Sequence, residues 1–496
     1  MAARVAPSVL LLALTLPFAG RAYHVDDPLY VEAARRVLAH PFDPLGGASF
    51  WHARPGTLFD DLYNPPLVAY LLAVPVGLGG GEAAVHVFMI ALAAAALYAC
   101  AAAGAAWGVP PRHALVIAAS PALCLAAVSA LTDVPFLLLC VLAWREAARE
   151  RPTAAGVAVA LSALTKYLGL ANLLLVLLLS RGRRAWVPAA ITVFAFGGYC
   201  AWNLALDGRL HVLAARRFQS FGLGHQSELI ASFVAALGLV GMPAALGLLR
   251  WSVPLGACAA ASGAAGLYAT RGGPASPVLA FLAFAAGGAL LAAAAVAVWR
   301  RREPFLCAAF WGFALYVCVF VYFGTARYLL PLLPPLLWLL VRGGLVDAGV
   351  SNVRLGLSVA GSAVLSLALL HADAGYADAW REAARRLPTA TRGFHTGRWG
   401  FTWYAAERDY RPLAPDDRLQ PGDIVAEPRG IHVEPGDVEA VAREPRSVIR
   451  VPSPALRTMD ASVGAGFYSS AWGVLPFGWR PGAFEEVVLS TPSAAP

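Results

Sequence analysis

The chain of 496 residues is poor in charged residues and has almost no lysine. Charged residues make up 14 % of the sequence, whereas a soluble domain carries about 25 %. Hydrophobic residues make up 59 %, and they recur in long runs. This composition excludes a disordered chain and a cytosolic enzyme. It predicts a protein that crosses a bilayer many times.

Cysteine and metal-binding motifs are also scarce. The seven cysteines all lie in apolar runs, and none forms a CxxC or Cys/His spacing. We therefore interpret them as small core residues rather than as disulfides or metal ligands. The sequence requires no cofactor, although acids and histidines in the first polar stretch leave a divalent metal ion open. The net charge of +8 needs no nucleic acid, because cytoplasmic loops of membrane proteins are rich in arginine.

Polarity divides the chain into two parts. Residues 1–372 hold the apolar runs, whereas residues 373–496 are punctuated by proline and glycine. The second part has a helical pattern near 376–387 and short β-prone stretches. The β-prone stretches are residues 401–404, 423–426 and 486–489. We predict an α-helical polytopic membrane domain followed by a small α+β domain.

Arginine positions set the predicted topology. The first apolar run, residues 5–20, is either an uncleaved helix or a signal peptide, and both place the polar loop 21–65 outside. The next run, residues 66–79, is shorter than the roughly 20 residues of a span and predicts a juxtamembrane helix. With residues 66–79 left out, the sequence predicts about 13 spans in total. This topology places nearly all arginine clusters on the cytoplasmic side. The first loop and the C-terminal domain are predicted to be extracytoplasmic.

Two adjacent carboxylates, Asp26 and Asp27, follow the first apolar run. Each charge disfavours ionisation of the other, and nearby lipid raises a carboxylate pKa further. A carboxylate of this kind is a candidate general base. The alternative for Asp27 is a helix cap, because Pro28 follows it. One cap explains only one acid, so Asp26 is the predicted base.

Two isolated bases are predicted to lie at the same membrane face. Lys166, the single lysine of the chain, stands between the short apolar runs 154–164 and 167–180. Arg327, followed by Tyr328, opens a later span. Ionisable groups at membrane depth are costly and usually functional, and arginine suits phosphate because it donates two parallel hydrogen bonds. The alternative is that both bases anchor helix ends at the interface.

Four other residues are candidate substrate contacts. Asp133 begins a predicted span, where it either caps the helix, contacts a donor sugar or holds a basic partner. Asn64 precedes the two prolines that open the juxtamembrane helix, and we predict that it lines the site. Arg216 and Arg217 lie in an outer loop, where they either bind an anionic lipid headgroup or are solvated.

Taken in order, these motifs resemble bacterial GT-C glycosyltransferases of the protein O-mannosyltransferase and aminoarabinose transferase type, a glycosyltransferase family 39-like pattern. The resemblance covers about residues 1–370. It rests on five motifs: Asp26-Asp27 with Tyr30, Pro65-Pro66-Leu67, Thr132-Asp133-Val134-Pro135, Thr165-Lys166-Tyr167 and Arg327-Tyr328. It implies a polyprenyl-phosphate sugar donor and an inverting transfer on the outer face, with Asp26 as the base and Asp27 as the second acid. The segment Gly397-Arg398-Trp399-Gly400-Phe401 is similar to tails of bacterial members.

The sequence thus predicts a plasma-membrane glycosyltransferase that moves a sugar from a polyprenyl-phosphate donor to a hydroxyl of a glycan, lipid or protein acceptor. Lys166, Arg327 and Tyr328 are predicted to hold the donor phosphate, and Tyr30 to contact substrate. Asp27 is predicted to orient the acceptor or a metal ion. One alternative is a transporter or flippase of lipid-linked glycans, which often shows inverted repeats. The other is a non-catalytic envelope assembly protein, which would leave Lys166 without a purpose.

Overall fold

The structure is a computed structural model that describes residues 2–51, 55–180, 182–216, 222–431 and 443–492. Helices dominate its first half. They are α1 (Ala2–Thr15), α2 (Asp27–Ala39), α3 (Leu58–Asp61), α4 (Leu67–Gly77), α5 (Glu82–Ala103), α6 (Leu115–Ala118), α7 (Pro121–Ala127), α8 (Asp133–Ala148), α9 (Pro152–Thr165) and α10 (Gly169–Leu179). Strands β1 (Ala48–Ser49) and β2 (Gly56–Thr57) form a small hairpin in the first polar loop.

Helices continue through the second half of the chain. They are α11 (Trp186–Asp207), α12 (His211–Arg216), α13 (Leu223–Ala236), α14 (Pro243–Leu248), α15 (Val253–Ala269), α16 (Pro277–Arg301), α17 (Pro304–Val319), α18 (Leu333–Arg342), α19 (Asn352–Arg385) and α20 (Gly400–Ala406). A 3₁₀ helix over Ala326–Leu332 precedes α18.

Length and composition make five helices of the described chain candidates for membrane spans. They are Glu82–Trp107, Trp186–Asp207, Leu223–Gly241, Pro277–Arg301 and Asn352–Arg385. Six shorter apolar helices accompany them. The predicted juxtamembrane helix appears as α4, whose apolar length is well below a span. The predicted fold class is confirmed in that apolar helices make up most of the chain and a small sheet follows them.

Arginine contacts mark one end of the helix bundle. Arg112 donates to Asn352, Arg250 pairs with Asp347, and these residues belong to neighbouring loops. Charge clusters also lie at the C-terminal end of α8, formed by Arg145, Glu146 and Arg149, and at the start of α17, where Glu303 pairs with Arg342. The opposite ends of α8 and α17 are Asp133 and Val319. The bundle therefore has an arginine-rich end and a second, opposite end.

A break between α9 and α10 puts Lys166 at that second end. α9 ends at Thr165, and Lys166 has extended backbone angles of φ −145° and ψ 140°. α10 then begins at Gly169, where a Cβ atom would lie 2.3 Å from the backbone nitrogen of Ala163. Only glycine allows this close return of the chain. The two half-helices therefore meet at the lysine, in the segment that the sequence indicates.

The C-terminal part carries a mixed five-stranded sheet with the order β4-β3-β5-β11-β6. The strands are β3 (Gly393–His395), β4 (Tyr410–Pro412), β5 (Ile424–Arg429), β6 (Arg443–Pro452), β7 (Leu456–Arg457), β8 (Met459–Asp460), β9 (Ala465–Gly466), β10 (Gly478–Trp479) and β11 (Phe484–Pro492). The β-prone stretches at 423–426 and 486–489 coincide with β5 and β11. The strand predicted at 401–404 is wrong, because these residues lie in α20, where Phe401 and Tyr404 share one buried helix face.

Helix α19 connects the two parts without a break. It runs for 34 residues and passes the predicted boundary at 372/373. Asp373 lies inside it, is 1 % exposed, and contacts Thr458 and Tyr468 of the C-terminal part. The sheet domain therefore packs directly on the helical bundle through a buried polar contact.

Candidate functional site

A cavity of about 1040 Å³ lies at the second end of the bundle. Its walls come from both parts of the chain, and apolar side chains, among them Phe136 and Val317, form part of its lining. Seven of the ten candidate residues line it: Asp26, Tyr30, Asn64, Asp133, Lys166, Arg327 and Tyr328. The structure therefore brings together residues from distant parts of the sequence, from Asp26 to Tyr328.

Three of these residues form an ion cluster, which we call the cavity cluster: Asp133, Lys166 and Arg327. Lys166 Nζ lies 2.5 Å from Asp133 Oδ1, and Arg327 Nη1 lies 3.2 Å from Asp133 Oδ2. All three side chains are buried, with exposures of 3–8 %. One carboxylate thus balances two cations, and the cluster keeps one net positive charge at the cavity wall.

Of the three alternatives for Asp133, which are a helix cap, a contact to a donor sugar and an ion pair with a basic partner, the structure shows the ion pair. The cap position of α8 is occupied by Thr132, whose side chain makes no capping hydrogen bond. Asp133 instead lies in the first helical turn, where the positive end of the helix dipole also favours a carboxylate.

Aromatic rings fix the two cations of the cavity cluster. Lys166 Nζ lies 4.6 Å from the ring centre of Tyr328, and the Arg327 guanidinium lies 5.3 Å from that of Tyr468. Cations are attracted to the negative face of an aromatic ring. Thr325 Oγ1 also accepts a hydrogen bond from the Arg327 backbone. The cations are consequently held in place before any ligand arrives.

Asp26 lines the same cavity. It occupies the cap position of α2 and is half-buried. Its charge acts on Arg327 and on Tyr30, which also line the cavity. Tyr30 accepts a hydrogen bond of 3.1 Å from Asn64 Nδ2, so the first loop and the start of the juxtamembrane helix are tied together beside Asp26.

Asp27 points away from the cavity into a second ion cluster, which we call the closed cluster: Arg21, Asp27 and Asp373. Arg21 donates to Asp27 Oδ2 at 3.2 Å and pairs with Asp373. Asp27 also accepts from the backbone nitrogens of His24 and Ala130, at 2.9 and 2.7 Å. None of its three members is among the residues that line the cavity. The capping interpretation of Asp27 is wrong, because α2 has no side-chain cap.

Burial and nearby charges shift the pKa values of two groups at the closed cluster, its member Asp27 and the neighbouring His24. Burial lowers the pKa of His24 to about 4, so its ring is neutral at pH 7. Burial alone would raise the pKa of Asp27, but the nearby His86 ring and the Arg21 guanidinium outweigh it and hold that pKa below its usual value. The side chains of His24, Arg21 and Asp27 are each at most 3 % exposed. The ionised carboxylate and the neutral ring are therefore the native forms.

Sequence reasoning missed the contribution of the C-terminal part to the cavity. Residues of that part that line it include Arg398, Trp399, Tyr468, Ser469 and Trp472. Tyr468 joins the two clusters, since its ring faces Arg327 and its hydroxyl donates to Asp373 at 2.9 Å. The segment around Trp399 could be recognised in the sequence as a motif. Nothing in the sequence around Tyr468 indicates that it lines the cavity.

Two candidate residues cannot be placed. Arg217 and the side chain of Arg216 lie outside the described residues. His225, from the same loop, does line the cavity. Within the described chain, no group of three or more His, Cys, Asp and Glu side chains has the arrangement of a metal site.

Comparison with known proteins gives a limited likeness. No protein-family model matches the chain, and no curated protein matches it. The crystal structure of ArnT from Cupriavidus metallidurans bound to undecaprenyl phosphate is similar to it at 16 % sequence identity and a TM-score of 0.40, over 85 % of this chain and 91 % of that chain. The apo state of the same protein gives 16 % identity and a TM-score of 0.38, over 86 % and 91 %. ArnT is an aminoarabinose transferase, one of the types that the sequence motifs resemble.

Proposed function

We propose that this protein is a membrane glycosyltransferase that moves a sugar from a polyprenyl-phosphate donor to an acceptor hydroxyl with inversion. The observation that carries the proposal is the presence, in the lining of one cavity, of the Asp26 carboxylate and of an ion cluster with a net positive charge. Transfer from a lipid phosphate needs both groups. A base accepts the proton of the attacking hydroxyl, and cations stabilise the charge that grows on the leaving phosphate.

Lys166 and Arg327 are proposed to bind the donor phosphate. A lysine ammonium has three N–H donors and a guanidinium has five, so contact with Asp133 leaves donors for further acceptors. The net positive charge of the cavity cluster favours an anion. The apolar side chains in the lining, among them Phe136 and Val317, suit the first isoprene units of the lipid.

Asp26 is proposed as the base. In an inverting reaction the acceptor oxygen attacks the anomeric carbon from the side opposite the phosphate, so the base must stand away from the phosphate site. Asp26 lines the cavity from the first loop, on a different chain segment from Lys166 and Arg327, and we place it on the acceptor side of the sugar. We assign Asp27 a positioning role, since its carboxylate fixes the loop that carries Asp26 to Arg21 and Ala130.

The cavity is proposed to open on the outer face of the plasma membrane. It lies at the second end of the bundle, opposite the loops that hold Arg112, Arg250 and Arg342. Arginine-rich loops face the cytoplasm in most membrane proteins. The first loop and the sheet domain are then extracytoplasmic, and the acceptor is a glycan, lipid or protein of the cell envelope.

An Asp26→Asn replacement in the native strain tests this function. Loss of the base stops transfer, so the sugar-charged polyprenyl phosphate accumulates, and mass spectrometry of the lipid extract identifies its sugar. The matched control is Asp43→Asn, because Asp43 belongs to the same loop but pairs with Arg36 outside the cavity lining. A lipid profile of the Asp26→Asn strain equal to that of the control would refute the proposal.

A further inference from the structure

A tight turn of the sheet domain, Gly397–Gly400, reaches the cavity but has no part in the phosphate chemistry above. Its third residue, Trp399, has φ 61° and ψ −144°. Residues with a side chain rarely adopt a positive φ, and such strained positions cluster at functional sites. The strained residue is also the one whose indole lines the cavity.

Close packing on both sides holds this turn. A Cβ atom at Gly400 would lie 2.1 Å from the carbonyl oxygen of Tyr23, and one at Gly397 would lie 2.4 Å from Pro428. The first contact joins the turn to the loop three residues before Asp26. The position of Trp399 relative to the proposed base is therefore fixed by the backbone.

A second tryptophan faces the first. The ring centres of Trp399 and Trp472 are 5.5 Å apart, and their planes are inclined by 50°. Both indoles are half-buried and line the cavity, so each has a partly open surface there. The neighbouring Arg398 is buried, lines the cavity, and has its guanidinium 5.5 Å from the ring centre of Phe50.

We propose that Trp399 and Trp472 form a binding platform for a sugar ring. The C–H groups of one face of a sugar are apolar and pack on an aromatic ring, while the hydroxyl groups at its edge need polar partners. Arg398, which precedes Trp399 and lines the same cavity, is the polar partner that we propose for these hydroxyl groups. The inference rests on the proposed function and names a part of its site. The sugar comes either from the lipid-linked donor or from a glycan acceptor.

Binding measurements on the full chain in nanodiscs test the platform. The probes are undecaprenyl phosphate, its glucose, mannose and arabinose derivatives, and soluble oligosaccharides of the same sugars. We expect one sugar to add at least tenfold to the affinity of undecaprenyl phosphate, or a soluble oligosaccharide to bind measurably. The first result assigns the platform to the donor sugar, and the second assigns it to the acceptor.

Variants then test the two rings. Trp399→Gly removes the indole and relieves the positive φ, so the fold is retained while the sugar-dependent affinity falls to that of undecaprenyl phosphate. Trp472→Ala has the same effect on binding, and Trp399→Phe keeps part of it. The matched control is Trp479→Ala, since Trp479 is exposed on the same domain and does not line the cavity.

The platform is refuted if no sugar of the panel adds to binding, or if Trp399→Gly and Trp472→Ala bind the sugar-bearing probes as the wild type does. Failure of the proposed function gives a different result, in which undecaprenyl phosphate itself does not bind to the wild-type protein.

Discussion

The cavity cluster and the closed cluster both combine buried aspartate with arginine, and they differ in what surrounds them. The cavity cluster has two cations and one carboxylate, and its members line an open space. The closed cluster has one cation and two carboxylates, and protein groups on three chain segments satisfy it. Burial alone therefore does not identify a functional charge. What distinguishes the cavity cluster is a net positive charge that faces a space where a ligand fits.

The largest expected effect comes from Arg21→Met. Removal of the guanidinium leaves Asp27 and Asp373 buried together without their shared cation. Loss of one partner of a buried ion pair costs about 3–5 kcal/mol of unfolding free energy. We expect a large fall of the melting temperature in detergent, or failure to accumulate in the membrane. A variant as stable as the wild type would show that the closed cluster does not hold the fold.

Lys166→Met is expected to reduce ligand affinity strongly and stability only a little, in contrast to Arg21→Met. Asp133 keeps Arg327 as a partner, so stability falls by less than in Arg21→Met. The affinity for undecaprenyl phosphate falls at least tenfold, because one of the two proposed phosphate ligands is lost. Isothermal titration and thermal melting on the same sample measure both quantities. A larger loss of stability than of affinity would remove the distinction between the clusters.

Asp133→Asn sharpens the comparison further. The change leaves Lys166 and Arg327 without a counter-charge, which destabilises the empty protein and favours a bound anion. The rise of the melting temperature on addition of undecaprenyl phosphate is therefore expected to be larger in this variant than in the wild type. An equal or smaller rise would show that the phosphate does not bind at these two cations.

The smallest expected effect is a pH dependence of the stability of the protein, caused by His24 beside the closed cluster. The folded protein holds this ring neutral with a pKa of about 4, whereas the unfolded chain takes up a proton near pH 6.5. Stability is therefore lost as the pH falls from about 6.5 to 4, by about 3 kcal/mol at most. His24→Gln should flatten the fall of the melting temperature in this range. His40→Gln, at an exposed histidine, serves as the control, and equal slopes in the two variants would contradict the prediction.

The sequence predicted the cavity cluster better than the closed cluster for a physical reason. Lys166, Arg327 and Asp133 each stand alone in an apolar run, so their cost in the membrane draws attention to them. Arg21 and Asp373 lie at the ends of apolar runs, where charges are common. Their contact spans 352 positions, and no local pattern reports a contact of that range.

Local patterns failed in a similar way for the sheet domain. Phe401 and Tyr404 fit a strand or one face of a helix, and packing against Trp380 of α19 decides for the helix. The motif around Trp399 was visible in the sequence, but its role depends on Trp472, which follows 73 positions later. The predicted count of 13 spans remains a prediction.

The most direct test of the account is mass spectrometry of lipid that copurifies with the protein from its own membranes. We compare the wild type with Lys166→Ala, Arg327→Ala and the control Asp43→Asn. The account predicts polyprenyl phosphate, with or without its sugar, in the wild type and the control, and its loss in both cavity-cluster variants. Equal amounts in all four samples, or none in the wild type, would contradict the assignment of the cavity cluster to the donor phosphate.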